Sequence, residues 1–214
     1  MNRAMIPFTD LYFKLSNRLQ EPLPGLVAYE RVKVKRADGG KIDFKEQANR
    51  RQGAVLIAFY EDEAGVHFPL IQRPDYDGVH SKQIALPGGK WEENDADLVQ
   101  TALRESHEEV GIHPDDVEVV GSLSSFYVGA SNFQVLPVVG FLKSKPNFIP
   151  QVTEVDEIIL GPLHDFLRPD AIKEKTINVR GFSMIAPYFD VEGKVIWGAT
   201  AAMLSELMMI IDEL

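Results

Sequence analysis

Leucines recur four apart at Leu11, Leu15 and Leu19 behind Thr9 or Asp10 as a cap, which predicts a helix over 9–20. The segment Glu21-Pro22-Leu23-Pro24-Gly25 ends it. Alternation over 29–44 predicts a hairpin turned at Asp38-Gly39-Gly40. The near-continuous apolar run 53–60 predicts a strand, turned by 61–65 into a second at 67–73. A loop rich in Pro, Asp, Gly and His then leads to Gln83-Ile84-Ala85-Leu86-Pro87-Gly88-Gly89. From Ala96 to Val110 the period becomes helical, with Val99, Ala102 or Leu103, Ser106 and Val110 on the buried face and Gly111 as C-terminal cap. Strand patterns return at 117–128, 133–142 and 154–163, the stretch 168–181 fits neither period, and an apolar helix closes the chain over 200–214. Strands around one well-marked helix, with further helices at the ends, predict a mixed α/β (α+β) sandwich rather than a doubly wound sheet.

Composition narrows the class. A chain of 214 residues suits one domain, read as an N-terminal helix-and-strand extension over 1–52 packed on a main unit over 53–214. Cysteine is absent, which excludes disulfides, thiolate catalysis and cysteine-bound zinc and fits a cytoplasmic protein. No apolar run is long enough to cross a bilayer and no secretory signal is evident, so no membrane partner is expected. The net charge of −10 argues against nucleic acid as a partner. That charge is uneven: eight basic against three acidic residues from Arg31 to Arg51 make that segment about +5 and the remainder about −15. Such a strip guides a small anionic ligand or is simply a solvated surface. The apolar Leu207–Ile211 suits a homodimer interface as well as a core.

The chemistry concentrates in Arg104-Glu105-Ser106-His107-Glu108-Glu109-Val110-Gly111. On a helix Glu105 neighbours both Glu108 and Glu109, and like charges so placed repel by a few tenths of a kcal/mol per pair. Acidic helix faces are most often solvated, and His107 reads as an exposed polar residue. Three converging carboxylates also suit a hard divalent cation, and magnesium favours a few carboxylates together with substrate phosphate. Upstream, Leu86-Pro87-Gly88-Gly89 lets backbone approach a ligand closely. Neither dinucleotide-binding nor P-loop glycine spacing is present.

Residues Gly89 to Ile112 resemble the Nudix box, G-x5-E-x7-R-E-U-x-E-E-x-G-U with U a bulky aliphatic residue. The interval from Gly89 to Arg104 is one residue longer, Asp95 stands where the first Glu is expected, and Ser106 takes an aliphatic position, where a backbone bond is expected to satisfy it. The extra residue and the Asp resemble the coenzyme A pyrophosphatase branch. So do Leu70, Ile71, Arg73, His80, Gln83, Ile84, Pro87, Gly88 and Gly89, and Trp197–Ala201 near the end; that signature has Gly where this chain has Lys82 and Phe where it has Leu86. The resemblance implies an α/β/α sandwich with a mixed sheet and the box helix beside it. It implies Mg2+ or Mn2+ held by Glu105, Glu108, Glu109 and the Gly88 carbonyl, with Glu105 as base or further ligand. Arg104 pairs with box acids and Asp95 is its partner at the helix start. Glu154, with Glu157 as rival, is the later loop acid such proteins recruit. Arg73, His80, Gln83, Lys82, Gly88 and Gly89 are expected along the substrate, and Arg50 and Arg51 at an outer phosphate. Phe126, Tyr127, Phe133 and Trp197 are expected in the core rather than stacked on a base. The implied reaction is hydrolysis of a small nucleoside diphosphate derivative: coenzyme A or an acyl form first, then ADP-ribose, nucleotide sugars or dinucleoside polyphosphates. A non-catalytic sensing module ranks last, because all three box glutamates are present and 214 residues leave no room for a DNA-binding domain.

Overall fold

The computed structural model describes residues 6–42, 48–77, 80–179 and 181–214. Helices α1 (Phe8–Arg18) and α2 (Leu26–Glu30) come first, followed by the short β1 (Lys35–Arg36), then β2 (Arg51–Asp62) and β3 (Gly65–Gln72). The glycine-rich segment forms β4 (Ile84–Ala85) and β5 (Gly88–Lys90), ahead of α3 (Leu98–Val110). Strands β6 (Val117–Ser122), β7 (Phe126–Val128), β8 (Phe133–Leu142) and β9 (Glu157–Pro162) follow, then the short α4 (Leu163–Phe166). The chain ends with β10 (Ile172–Val179), β11 (Phe182–Val191), β12 (Lys194–Trp197) and α5 (Gly198–Asp212). Among the described residues no helix is long and apolar enough to cross a membrane.

The main sheet runs β4-β3-β2-β8-β6, with β5 on β2, β7 on β8 and β9 on β3. It is mixed, because β2 and β8 are parallel while every other pair is antiparallel. A strand covered on both faces reads as continuously apolar, and β2 shows why. Leu56, Ala58 and Tyr60 join the core beneath α3 with Ala102, Val110 and Val138. The intervening Ile57 and Phe59 join the opposite core with Leu11 and Leu15 of α1 and Leu204 and Leu207 of α5. Helices on both faces of a mixed sheet make the expected α/β/α sandwich.

Helix α5 is apolar all round: every residue from Thr200 to Met208 is buried, as are Ile210 and Ile211. Leu207–Ile211 is therefore core, which removes its motive as a dimer surface. Glu206 is 0% exposed yet satisfied, accepting from Gly25 N at 2.7 Å, Ser124 N at 3.0 Å, Ser124 Oγ at 2.6 Å and Tyr29 Oη at 3.2 Å. Arg18 of α1 pairs with Glu213 at 2.8 Å.

The hairpin expected around Asp38 is corrected. The turn exists, with Gly39 N donating to Arg36 O at 3.1 Å and Gly40 N to Asp38 Oδ1 at 2.9 Å. Its first arm, however, is β1, which pairs with β11 through Lys35↔Ile185 and Arg36↔Met184. The second arm runs into residues 43–47, outside the described residues; these include Lys45, Asp43 and Glu46 of the basic strip. Within that strip Lys33 pairs with Glu30 at 2.6 Å and Arg36 with Asp38, as a solvated surface does. The stretch 168–181, which fits neither period, contains β10, which pairs with β11 from Ile172 to Val179. Three described non-glycine residues hold positive φ: Lys82 (58°), Asn132 (56°) and Glu192 (51°). The left-handed region costs an L-residue roughly 1–2 kcal/mol, least for Asn.

Candidate active site

The site forms where β5 passes between β2 and α3. Gly88, Gly89 and Lys90 pair antiparallel with Val55, Ala54 and Gly53. A side chain on Gly88, at φ 149°, would stand 2.3 Å from Ala54 O, and one on Gly89 would stand 2.5 Å from the Glu105 carboxylate. The two glycines thus let backbone touch the sheet on one side and the acidic helix on the other. Gly88 N donates to Glu109 Oε2 at 2.8 Å.

Helix α3 starts later than expected. Asp97, not Asp95, is its cap, accepting from Gln100 N at 2.8 Å, while Gly111 at φ 76° closes it as predicted. Asp95 is instead buried and receives Arg104 in a fork, Nε at 2.8 Å and Nη2 at 2.9 Å, with Thr101 Oγ1 at 2.9 Å and Glu92 N at 3.1 Å. The Arg104 guanidinium holds the Asp95 carboxyl at about 2. Arg104 also donates to Lys90 O at 3.0 Å, to Glu105 at 3.1 Å and to Glu108 at 3.2 Å. One side chain therefore ties β5 to the helix start and partly neutralises two of the box acids. Thr101, on the helix face of the glutamates by its spacing, is 0% exposed beneath Asp95.

The three glutamates are not equivalent. Glu108 is more than half exposed, Glu105 is largely covered, and Glu109 is 2% exposed, on the side of the helix expected to be apolar. Burial pushes the Glu109 carboxyl up to about 8 despite the Gly88 N–H and the nearby Arg73 charge. Burial also raises Glu105, against the pull of Arg104. Ser106 Oγ is buried without a hydrogen-bond partner among the described residues, contrary to the expected backbone bond. His107 is exposed, edge-on to His113.

The loop acids separate as well. Ile149 N donates to Val110 O at 3.0 Å and Gln151 N to Glu109 O at 2.9 Å, so the loop hangs from the last turn of α3. Gln151 O then accepts from Glu154 N at 2.9 Å and Val155 N at 2.8 Å, with Val155 buried in the core under α3. Glu154 is placed where its charge acts on both Glu105 and Glu109. Glu157 lies in β9 and pairs with Lys194, away from them. Arg73 N donates to Gln83 O at 3.0 Å, and His80 Nδ1 meets Gln83 Oε1 at 3.0 Å. Arg73 Nε is buried and lacks a hydrogen-bond partner among the described residues. Arg51 lies over Phe133 at 4.2 Å and shares an open cleft with Tyr76 and His80, while Arg50 lies over Tyr127 at 5.0 Å. Phe133 and Trp197 thus line clefts rather than the core, whereas Phe126 packs on it.

Among the described residues no three acidic or histidine side chains already converge as a metal cage. Glu109 is directed to Gly88, while Glu105 and Glu108 are directed to Arg104. The donor set nevertheless fits a hard divalent cation: oxygen ligands only, an excess of carboxylate, and one acid whose burial disfavours its charge until a cation compensates.

The profile of the NUDIX domain matches residues 50–180. Nudix hydrolase 15, mitochondrial, of Arabidopsis thaliana is 36% identical over 161 residues, 72% of this chain and 56% of that protein. Nudix hydrolase NudL of Citrobacter koseri is 37% identical over 164 residues, 77% of this chain and 84% of that protein. The chain spans little more than half the length of the plant relatives it matches. Among solved structures, the Nudix hydrolase RenU of M. smegmatis superposes with a TM-score of 0.54 at 15% identity, covering 85% of this chain and 94% of that one. By the profile over 50–180 and by these relatives, this chain belongs to the NUDIX domain family.

Proposed function

We propose that the protein hydrolyses the diphosphate bridge of a nucleoside diphosphate derivative, with coenzyme A or an acyl form as substrate. The observation that carries the chemistry is Glu109, buried beside Glu105 and held by Gly88 N in the gap the two glycines leave. Glu105, Glu108, Glu109 and the Gly88 carbonyl would hold Mg2+ or Mn2+, which supplies charge neutralisation and a more acidic water at the phosphorus. A water oxygen attacks one phosphorus, the bond from that phosphorus to the bridging oxygen breaks, and the bridge leaves on the other phosphate. Glu105, raised by burial, accepts the proton of the attacking water, a contribution of about 10²–10⁴ in rate. Glu154 adds negative charge that keeps both glutamates selective for a cation. Arg104 positions the helix acids, and Arg73 stands by the phosphates. The coenzyme A assignment rests on the longer glycine-to-arginine interval, Asp95 and the upstream segment from Leu70 to Gly89.

The test is to incubate the protein with coenzyme A, ADP-ribose, nucleotide sugars and dinucleoside polyphosphates, with Mg2+ or Mn2+, and weigh the products. Release of 3′,5′-ADP and 4′-phosphopantetheine is expected. Glu109→Gln and Glu108→Gln should abolish turnover with the fold intact, and wild-type rates in either would overturn the ligand assignment. Glu154→Gln should lower kcat by at least about tenfold more than Glu157→Gln; the reverse order would make Glu157 the loop acid.

A further inference from the structure

A second cleft, of about 350 Å³, lies between β4 and the small sheet of β10, β11 and β12. Among the described residues its lining holds three lysines, Lys82, Lys175 and Lys194, with Gln72, Asn178 and Trp197, and no carboxylate. In a chain of net charge −10 three lysines gather here, with Asp75 and Glu157 beside Lys82 and Lys194 at the rim. The lysines come from three separated segments. Lys82 lies on the loop before β4, Lys175 on β10 and Lys194 at the start of β12.

Lys82 adds an independent observation. Its φ of 58° is the left-handed conformation that glycine adopts freely and lysine rarely. A lysine held in that conformation is strained backbone, and such outliers cluster at ligand sites. Its present partner, Asp75 at 2.7 Å, is no reason to retain it: both side chains are well exposed, at 62% and 71%, and exposed pairs contribute little. Lys194 Nζ meets Gln72 Oε1 at 3.2 Å and pairs with Glu157, and Lys175 Nζ lies 5.7 Å from the Tyr188 ring centroid.

We propose that Lys82, Lys175 and Lys194 form an accessory anion pocket, which takes a phosphate monoester that the substrate carries away from the bridge being cut. A phosphate monoester holds close to two negative charges at neutral pH and outcompetes a single exposed carboxylate for a lysine. The cleft is within reach of the reacting end. Ile84 lines it, and four residues on, a span of at most about 14 Å, stands Gly88. Gln72 lines it too, and the next residue is Arg73, whose charge acts on Glu109. This pocket gives the family's diphosphate chemistry a preference for nucleotides phosphorylated twice. The proposal rests on the diphosphatase reading for its purpose, but not for its test.

The experiment measures binding of 3′,5′-ADP and of 5′-AMP by calorimetry, to wild type, Lys82→Gly, Lys175→Ala and Asp75→Asn. Wild type is expected to bind 3′,5′-ADP about tenfold more tightly than 5′-AMP, a difference of about 1.4 kcal/mol. That preference is expected to shrink as salt is raised. Lys175→Ala should remove most of the preference while leaving 5′-AMP affinity unchanged, and Lys82→Gly should remove most of the preference as well. Because glycine suits the Lys82 backbone, Lys82→Gly should melt no lower than wild type, so the loss is not one of folding. Asp75→Asn should preserve the preference or increase it. Equal affinities in wild type, or loss of preference in Asp75→Asn, would overturn the pocket, the latter by making Lys82 a brace for its loop. Hydrolysis of coenzyme A against 3′-dephospho-coenzyme A is measured in parallel. A lysine-dependent preference in binding without hydrolysis of either would leave the pocket standing and overturn the proposed function instead.

Discussion

Arg104 forks onto a carboxylate that is almost entirely buried, and removal of one partner of such a pair leaves the other uncompensated. Asp95→Asn should therefore cost about 2 kcal/mol, the equivalent of lowering the carboxyl from 3.8 to about 2. The sign follows from proton binding. Folding weakens Asp95's hold on its proton, so the stabilisation is complete above about pH 4 and fades as pH falls through about 2. Urea midpoints of wild type and variant should differ at neutral pH and converge in strong acid. Ser106 is the opposite case. Its hydroxyl is buried without a partner, so Ser106→Ala should raise stability by about 1 kcal/mol, read as a higher urea midpoint with unchanged turnover. At this scale the sequence showed which acids belong together but not how they differ. Spacing puts Glu105, Glu108 and Glu109 on adjacent ridges. Only packing under the β2–β5 strands decides that Glu109 is the buried one.

Strand β8 occupies 133–142, as its apolar pattern predicts, because it is a central strand and burial on both faces leaves a continuous signal. The small sheet left no such signal. Strand β10 is largely exposed, with alternating Lys and Glu, and β11 contains Pro187, which argues against a strand. The register explains the proline: β1 pairs with 184–185 and β12 with 188–191, so Pro187 falls in the gap, opposite neither. The readable clue was the turn. Val191 pairs with Lys194, and Glu192 and Gly193 sit at φ 51° and 80°, the two positive angles of a tight hairpin loop. Glu192→Asn should accordingly stabilise the protein by about 0.5–1 kcal/mol, measured as a raised midpoint. Failure to gain would mean that Glu192 has a compensating contact. The small sheet is also the one that supplies Lys175 and Lys194, so the proposed anion pocket is the least legible part of the molecule from sequence.

Across the whole molecule, Glu206 joins three distant segments by accepting from Gly25, Tyr29 and Ser124 at one buried carboxylate. Glu206→Ala would orphan two backbone N–H groups and the Ser124 hydroxyl at once, while Tyr29 Oη keeps its bond to Ser124 O at 3.0 Å. It should cost at least about 3 kcal/mol, and limited proteolysis should cut first near Gly25. An unchanged cleavage pattern would show that the N-terminal segment is held by other contacts. The same geometry sets an order on how the chain is made. The leucine stripe of α1 is covered by α5, and about 180 residues separate Arg18 from Gly198. At about 5–20 residues per second, the ribosome leaves that stripe waiting roughly ten to forty seconds for its cover. A nascent chain stalled before α5 therefore displays α1 as an adhesive helix, which makes it a place for a chaperone to hold.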